Sequence, residues 1–206
     1  MQIGEINDPE RARGWWNDIV FYEIFVRSFY DSNGDGIGDF RGIVEKLDYL
    51  NDGDPNTTTD LGVCGIWLMP IFPSPSYHGY DVTDYQNVNP DYGSLQDFQD
   101  LVKACHERGI RVIIDFVVNH TSSEHPWFVS SKNKDSEYRN WYVWSDTKPS
   151  QPGPWGQNAW YQSGGSFYYA PFWSGMPDLN YKEPKVTQAM YDATKFWLDL
   201  GVDGFR

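Results

Sequence analysis

The sequence predicts a parallel α/β fold, the N-terminal half of a (β/α)8 barrel comprising strands one to four, with an insertion after the third. Three observations carry that prediction. Apolar strand-like runs alternate with amphipathic helical stretches, the order that builds a parallel sheet through right-handed crossovers. The strand runs are almost continuously apolar, so both sheet faces are covered. Segments that follow strands are long and rich in polar chemistry, whereas those that follow helices are mostly short. A doubly wound sheet is the competing architecture, but no G-x-G-x-x-G follows the first strand, and the loop asymmetry favours the barrel.

The elements follow in order. Ile19 to Val26 reads as the first buried strand, and a Gly/Asp-rich loop runs from Asp31 to Asp39. A helix over Phe40–Leu50 puts Phe40, Ile43, Val44, Leu47 and Leu50 on one face. Leu61–Met69 is the second strand, stopped by Pro70. Ser94 caps a helix whose apolar positions are Leu95, Phe98, Leu101, Val102 and Cys105, ended by Arg108-Gly109. Ile110–Val118 is the third strand. Thr121 to about Asn180 lacks periodicity. A helix then covers Pro184–Leu200, Gly201 stops it, and Gly201–Arg206 opens the fourth strand. The expected domains are 1–120 and 170–206 for the barrel and 121–169 for the insertion.

Composition narrows the function. The chain has 206 residues, 40% hydrophobic and 17% aromatic, enough for a sizeable core. Sixteen Lys and Arg against 29 Asp and Glu give a net charge of −13, which disfavours nucleic acid and anionic membranes as partners. Cys64 and Cys105 are too few for a disulfide framework, and both read as free buried thiols. Met1–Asp8 shows no export signal, and no apolar run is long enough to span a membrane. An acidic chain with two thiols suits a trimmed extracellular protein or a cytoplasmic one, and the extracellular assignment is preferred.

Three segments carry chemistry. Asp31, Asn33, Asp35, the Ile37 carbonyl and Asp39 place oxygen ligands at alternate positions of a glycine-rich loop. This is calcium-loop spacing, although Gly42 stands where an EF-hand has its bidentate Glu. An Asx/Gly surface turn is the simpler alternative, but three carboxylates in nine residues repel one another without a cation. Tyr77–Tyr85, after the second strand, combines aromatic rings with His78 and Asp81, a mixture suited to a sugar's C–H faces and hydroxyl pairs. Asp115, Val117 and Asn119 alternate onto one side of the third strand, with His120 at its carboxyl end.

Asp115-Phe-Val-Val-Asn-His120, Met176-Pro-Asp-Leu-Asn180 and Gly201-Val-Asp-Gly-Phe-Arg206 together resemble the signature regions of the α-amylase family, glycoside hydrolase family 13. Val20–Phe29 and His78-Gly-Tyr-Asp81 are similar to it as well, and Met-Pro-Asp-Leu-Asn resembles the branch between oligo-1,6-glucosidases and neopullulanases. The resemblance runs from Trp16 onward. It implies retaining hydrolysis of α-glucosidic bonds, with an α-glucan as substrate and calcium as cofactor. Tyr80 would stack on the sugar at the scissile bond, Asp81 would bind its hydroxyls, and His120 would donate to one of them, with His78 in the same substrate-binding group. Arg206 would keep the nucleophilic carboxylate ionised. Asn119 and Asp178 match ligands of a second calcium site.

The resemblance puts the nucleophile, the general acid and the third carboxylate after Arg206, so no catalytic residue is expected within the chain. Half a barrel also leaves strand edges unpaired. The expectation is therefore a piece completed by the C-terminal remainder of the enzyme, inactive alone. Endo-acting α-amylase is the expected activity. The alternatives are an exo-acting α-glucosidase or oligo-1,6-glucosidase, and a non-catalytic homologue serving as a binding subunit.

Overall fold

The computed structural model describes residues 14–206. The Met1–Asp8 segment read for an export signal lies outside the described residues. The chain divides into two compact units, the first formed by residues up to Ile71, Val88–Phe116 and Leu198–Arg206, the second by Phe72–Asn87 and Val117–Trp197.

In chain order the strands are β1 (Phe21–Ile24), β2 (Gly65–Leu68), β3 (Arg111–Ile114), β4 (Trp144–Ser145), β5 (Trp160–Ser163), β6 (Ser166–Tyr169) and β7 (Gly204–Phe205). The helices are α1 (Val26–Phe29), α2 (Phe40–Glu45), α3 (Leu47–Leu50), α4 (Leu95–Glu107), α5 (Pro126–Ser131) and α6 (Pro184–Asp199).

The first unit is built on a parallel sheet of order β1-β2-β3-β7. Its register aligns Ile24, Leu68, Ile114 and Phe205 across four strands. Ile24, Ile66, Leu68, Val112 and Ile114 are buried, as are Phe40, Ile43, Leu47, Leu50, Phe98 and Leu101 of α2, α3 and α4. Each such side chain withdrawn from water contributes roughly 1.5–3 kcal/mol. Phe40 packs edge-on against Phe98 at 5.5 Å and Tyr92 at 6.1 Å, which ties α2 to α4.

Helix α4 begins and ends where its sequence dictates. Ser94 accepts from the Asp97 amide while Asp97 accepts from the Ser94 amide, a closed capping box. At the other end Gly109 takes φ +73°, and the Gly109 and Ile110 amides bond to the His106 and Cys105 carbonyls at 3.0 and 2.9 Å. That is a Schellman stop, which favours glycine. Cys105 is buried beneath the helix, and burial pushes its thiol up to about 12.

Three expectations need correction. The Phe40–Leu50 helix is broken at Lys46, which leaves helical geometry at φ −109°, ψ 5°. The strands are four residues or fewer, because Val26 turns into α1 and the regular pairing of β3 ends at Ile114, with cross-strand amide bonds persisting only to Phe116. Cys64 is half-exposed, not buried.

The second unit supplies the largest difference. The stretch expected to be irregular contains an antiparallel sheet of order β4-β6-β5. Gly164 and Gly165, at φ +55° and +80°, form the two-residue turn between β5 and β6. Phe128 of α5 packs on Tyr142, Trp144 and Tyr168 at 5.0, 5.7 and 4.9 Å. Helix α6 joins this unit through Trp197, fully buried, whose indole donates to the Tyr85 carbonyl at 2.7 Å and packs on Phe72 at 5.3 Å. Among the described residues no helix is long and apolar enough to cross a membrane.

Candidate functional site

The loop after β2 belongs to the second unit and carries His78, Tyr80 and Asp81. Asp81 is 2% exposed, and a carboxylate so placed requires hydrogen-bond donors. Ser74 Oγ donates to its Oδ1 at 2.7 Å, and Ser76 Oγ donates to the same oxygen. His78 Nδ1 lies 3.9 Å from that oxygen and accepts the Tyr80 amide at 3.1 Å. The acceptor role of Nδ1 places the ring proton on Nε2. Gly79 makes the bend at φ +78°. The half-buried Tyr80 ring lies 6.1 Å from the His78 ring at 33°. A fixed carboxylate, an imidazole donor and an aromatic face thus occupy one turn, the equipment for holding a polyol ring.

His120 joins this group. Its Nε2 donates to the Tyr80 carbonyl at 3.0 Å, and its Nδ1 lies 3.3 Å from the Asn119 amide nitrogen. Burial drives its pKa down, against the opposing effects of the Tyr80 bond and the Asp81 charge. His120 here anchors the Tyr80 backbone, so donation to a sugar hydroxyl requires that bond to be exchanged. Asn119 donates to Asp178 Oδ1 at 2.9 Å, and the Leu179 amide returns to the Asn119 carbonyl at 2.9 Å. Burial, partly offset by the Asn119 bond, pushes Asp178 up to about 6. The expected second cation ligands are therefore in direct contact with each other.

Arg206 lies in the first unit. Its Nη1 donates to Asp115 Oδ1 at 3.1 Å, and its guanidinium lies 4.8 Å from the centre of the Trp67 ring. Asp115 is 2% exposed, and Arg206 is a donor to its buried carboxylate. The backbone continues the β3–β7 ladder, with Arg206 N to Ile114 O at 3.0 Å and Phe116 N to Arg206 O at 2.9 Å.

The Asp31–Asp39 loop is wound on its own side chains. Asp31 accepts from the amides of Asn33, Gly34 and Gly36, Asn33 from Asp35, and Asp35 from Ile37. The Gly36 and Gly34 amides hold the Asp31 carboxyl below its usual range. Asp39 caps α2 through the Gly42 amide at 2.7 Å and takes two bonds from Ser32. A side chain at position 42 would overlap the Tyr30 carbonyl, which explains why no Glu stands there. Among the described residues no three His, Cys, Asp or Glu side chains group to hold a metal. The donors are all hard oxygens, the set that suits calcium.

A family profile described as "Alpha amylase, catalytic domain" matches residues 23–206. The chain belongs to the α-amylase family. It is 51% identical over 193 residues to "Alpha-amylase 3" of Dictyoglomus thermophilum, covering 93% of this chain and 36% of that protein. It is 46% identical over 203 residues to an oligo-1,6-glucosidase of Parageobacillus thermoglucosidasius, covering 94% and 35%. The crystal structure of the α-amylase from H. orenii superposes with a TM-score of 0.86 at 62% identity, covering 91% of this chain and 39% of that one. The chain thus spans about a third of the length of the curated relatives it matches. Its four parallel strands are those of a partial α-amylase-family barrel.

Sequence reasoning did not single out Ser74 and Ser76. The available signal was chemical: a carboxylate bound for burial needs donors, and these two hydroxyls lie within seven residues of it.

Proposed function

We propose that this chain carries the sugar-binding part of a retaining α-glucan hydrolase, an endo-acting α-amylase on starch and maltooligosaccharides. The observation that carries the reading is Asp81, 2% exposed, fixed by two serine hydroxyls and set beside His78 and Tyr80. Asp81 and His78 would hold hydroxyls of one glucose unit while Tyr80 covers its C–H face, and His120 would support that turn from beneath. Arg206 would face the nucleophile, with Asp115 holding the guanidinium. In this reading the nucleophile, the general acid and the third carboxylate belong to sequence C-terminal to Arg206, the remainder of the enzyme. One carboxylate would attack the anomeric carbon while the acid protonates the departing oxygen, and water would then release the glycosyl intermediate.

Calcium is proposed for the loop of Asp31, Asn33, Asp35, Ile37 and Asp39, where it would neutralise three carboxylates; Asn119 and Asp178 are the weaker second candidate. The 46% identity to oligo-1,6-glucosidase supports a second reading, in which Asp81 grips a terminal glucose and action is exo. Maltoheptaose digestion by the enzyme carrying this chain separates the two. Early mixed oligosaccharides mean endo action, and glucose alone means exo action.

A further inference from the structure

The register of the parallel sheet gathers three side chains of the first unit on one face. Trp67 on β2 aligns with Ile113 on β3, and Ile113 aligns with Gly204 on β7. Ile66 and Leu68, the neighbours of Trp67, are fully buried under the helices, so alternation turns Trp67 to the opposite face. Asp115 and Arg206 each stand two residues beyond Ile113 and Gly204, and they share that face. Gly204 offers no side chain below Arg206, and a Cβ there would already press on Ile113 Cγ2 at 3.3 Å. Arg206 thus reaches back across β3. Its guanidinium lies 4.8 Å from the centre of the Trp67 ring while Nη1 donates to Asp115 Oδ1 at 3.1 Å.

The two contacts do different work. A hydrogen bond to one nitrogen places a guanidinium but does not set the tilt of its plane. An aromatic face within about 6 Å does, because the flat cation stacks on it. The Asp115 side chain is 3% exposed and that of Arg206 55%, so Arg206 is the solvated partner that has rotamer freedom to lose. The indole is not there for its N–H: Nε1 is buried and meets no acceptor among the described residues. An unmatched buried donor is a cost, and the ring face is what Arg206 uses. Glu23 aligns with Trp67 on β1, the side away from Arg206, and Arg111, one layer lower on β3, is engaged by Asp203 at 2.7 Å.

We propose that Trp67 is a positioning residue for the reaction, its ring holding the Arg206 guanidinium beside Asp115 in the orientation that faces the nucleophilic carboxylate. The proposal rests on the α-glucan hydrolase reading and deepens its account of Arg206. Trp67 acts through Arg206 and not on the sugar, so its loss affects turnover and not substrate capture.

Steady-state hydrolysis of maltoheptaose by the complete enzyme, measured across pH, tests it. Trp67→Phe and Trp67→Met both refill the space, but only Phe presents a ring face. Trp67→Met is expected to lower kcat about tenfold with KM unchanged, whereas Trp67→Phe keeps most of the rate. With Arg206 released, the nucleophile keeps its proton to higher pH. The acid limb of kcat/KM in Trp67→Met should therefore move up by about half a pH unit to one unit. Equal losses in the two variants, or a raised KM with kcat intact, would show a packing role and overturn the proposal. An unchanged kcat and acid limb in Trp67→Met overturns it as well. If Trp67→Met does not fold, fluorinated tryptophans at position 67 keep the shape and weaken the ring face stepwise. A stepwise fall in kcat then supports the proposal, and a flat series overturns it. Failure of the unaltered enzyme to hydrolyse maltoheptaose overturns the α-glucan reading, and the proposal falls with it.

Discussion

Replacing Asp203 by Asn isolates the charge network at the base of the parallel sheet. Asp203 has 9% of its side chain exposed and accepts from His106 Nε2 at 2.7 Å, Arg111 Nη1 at 2.7 Å and the Val112 amide at 2.8 Å. Burial alone would raise its pKa, but the bonds from His106, Val112 and Arg111 outweigh it and leave the carboxyl below 3.8. Asn keeps one acceptor for Val112 and loses the carboxylate charge that faces the Arg111 guanidinium and strengthens the bond to His106. Two charge-assisted bonds are worth about 1.5–3 kcal/mol each when buried, and partners roughly a third exposed cut that substantially. The expected loss is about 2 kcal/mol near neutral pH. A depressed folded pKa stabilises above the unfolded value, and the benefit disappears as pH falls through the folded one. The deficit of the variant should therefore close below about pH 3.8. Equilibrium urea unfolding, followed by Trp fluorescence near pH 7 and pH 3, measures both. A deficit of equal size at the two pH values would refute the electrostatic account and point to packing damage.

Three further outcomes are expected. Ser94→Ala opens the α4 capping box and should cost about 1 kcal/mol of stability in urea, with Ser94→Asp recovering most of it. Chelation of calcium should lower the thermal midpoint by a few degrees, and Asp35→Asn should remove that sensitivity; calorimetric scans with and without chelator decide. Asp81→Asn should keep the circular dichroism spectrum yet weaken maltoheptaose binding at least about tenfold, because a charge-assisted bond to the sugar becomes a neutral one.

Helix α4 was legible to the residue, since its apolar period, Ser94 and Gly109 all specify the same ends. The face of α2 and α3 was equally legible: Phe40, Ile43, Leu47 and Leu50 are all fully buried. The break at Lys46 was not, because apolar periodicity reports which side faces the core and not whether the hydrogen-bond ladder is continuous. Strand ends were overextended for a similar reason, as Val26 and Val117 are buried yet leave the ladder. The β5–β6 hairpin had a signal in Gly164-Gly165 between two aromatic runs, which the surrounding Trp, Ser and Pro obscured. At the site, His78, Tyr80, Asp81 and His120 were legible and stand together in one unit, and Arg206 in the other. The supports Ser74 and Ser76 were not, because a hydroxyl acquires its partner only from the folded loop.

The central claim is that this chain belongs to an enzyme that cleaves α-glucans with retention. The most direct test follows the anomeric proton of newly released sugar by NMR during maltoheptaose cleavage by the complete enzyme. The account predicts that the α-anomer appears first and mutarotates afterwards. Initial release of the β-anomer would contradict it.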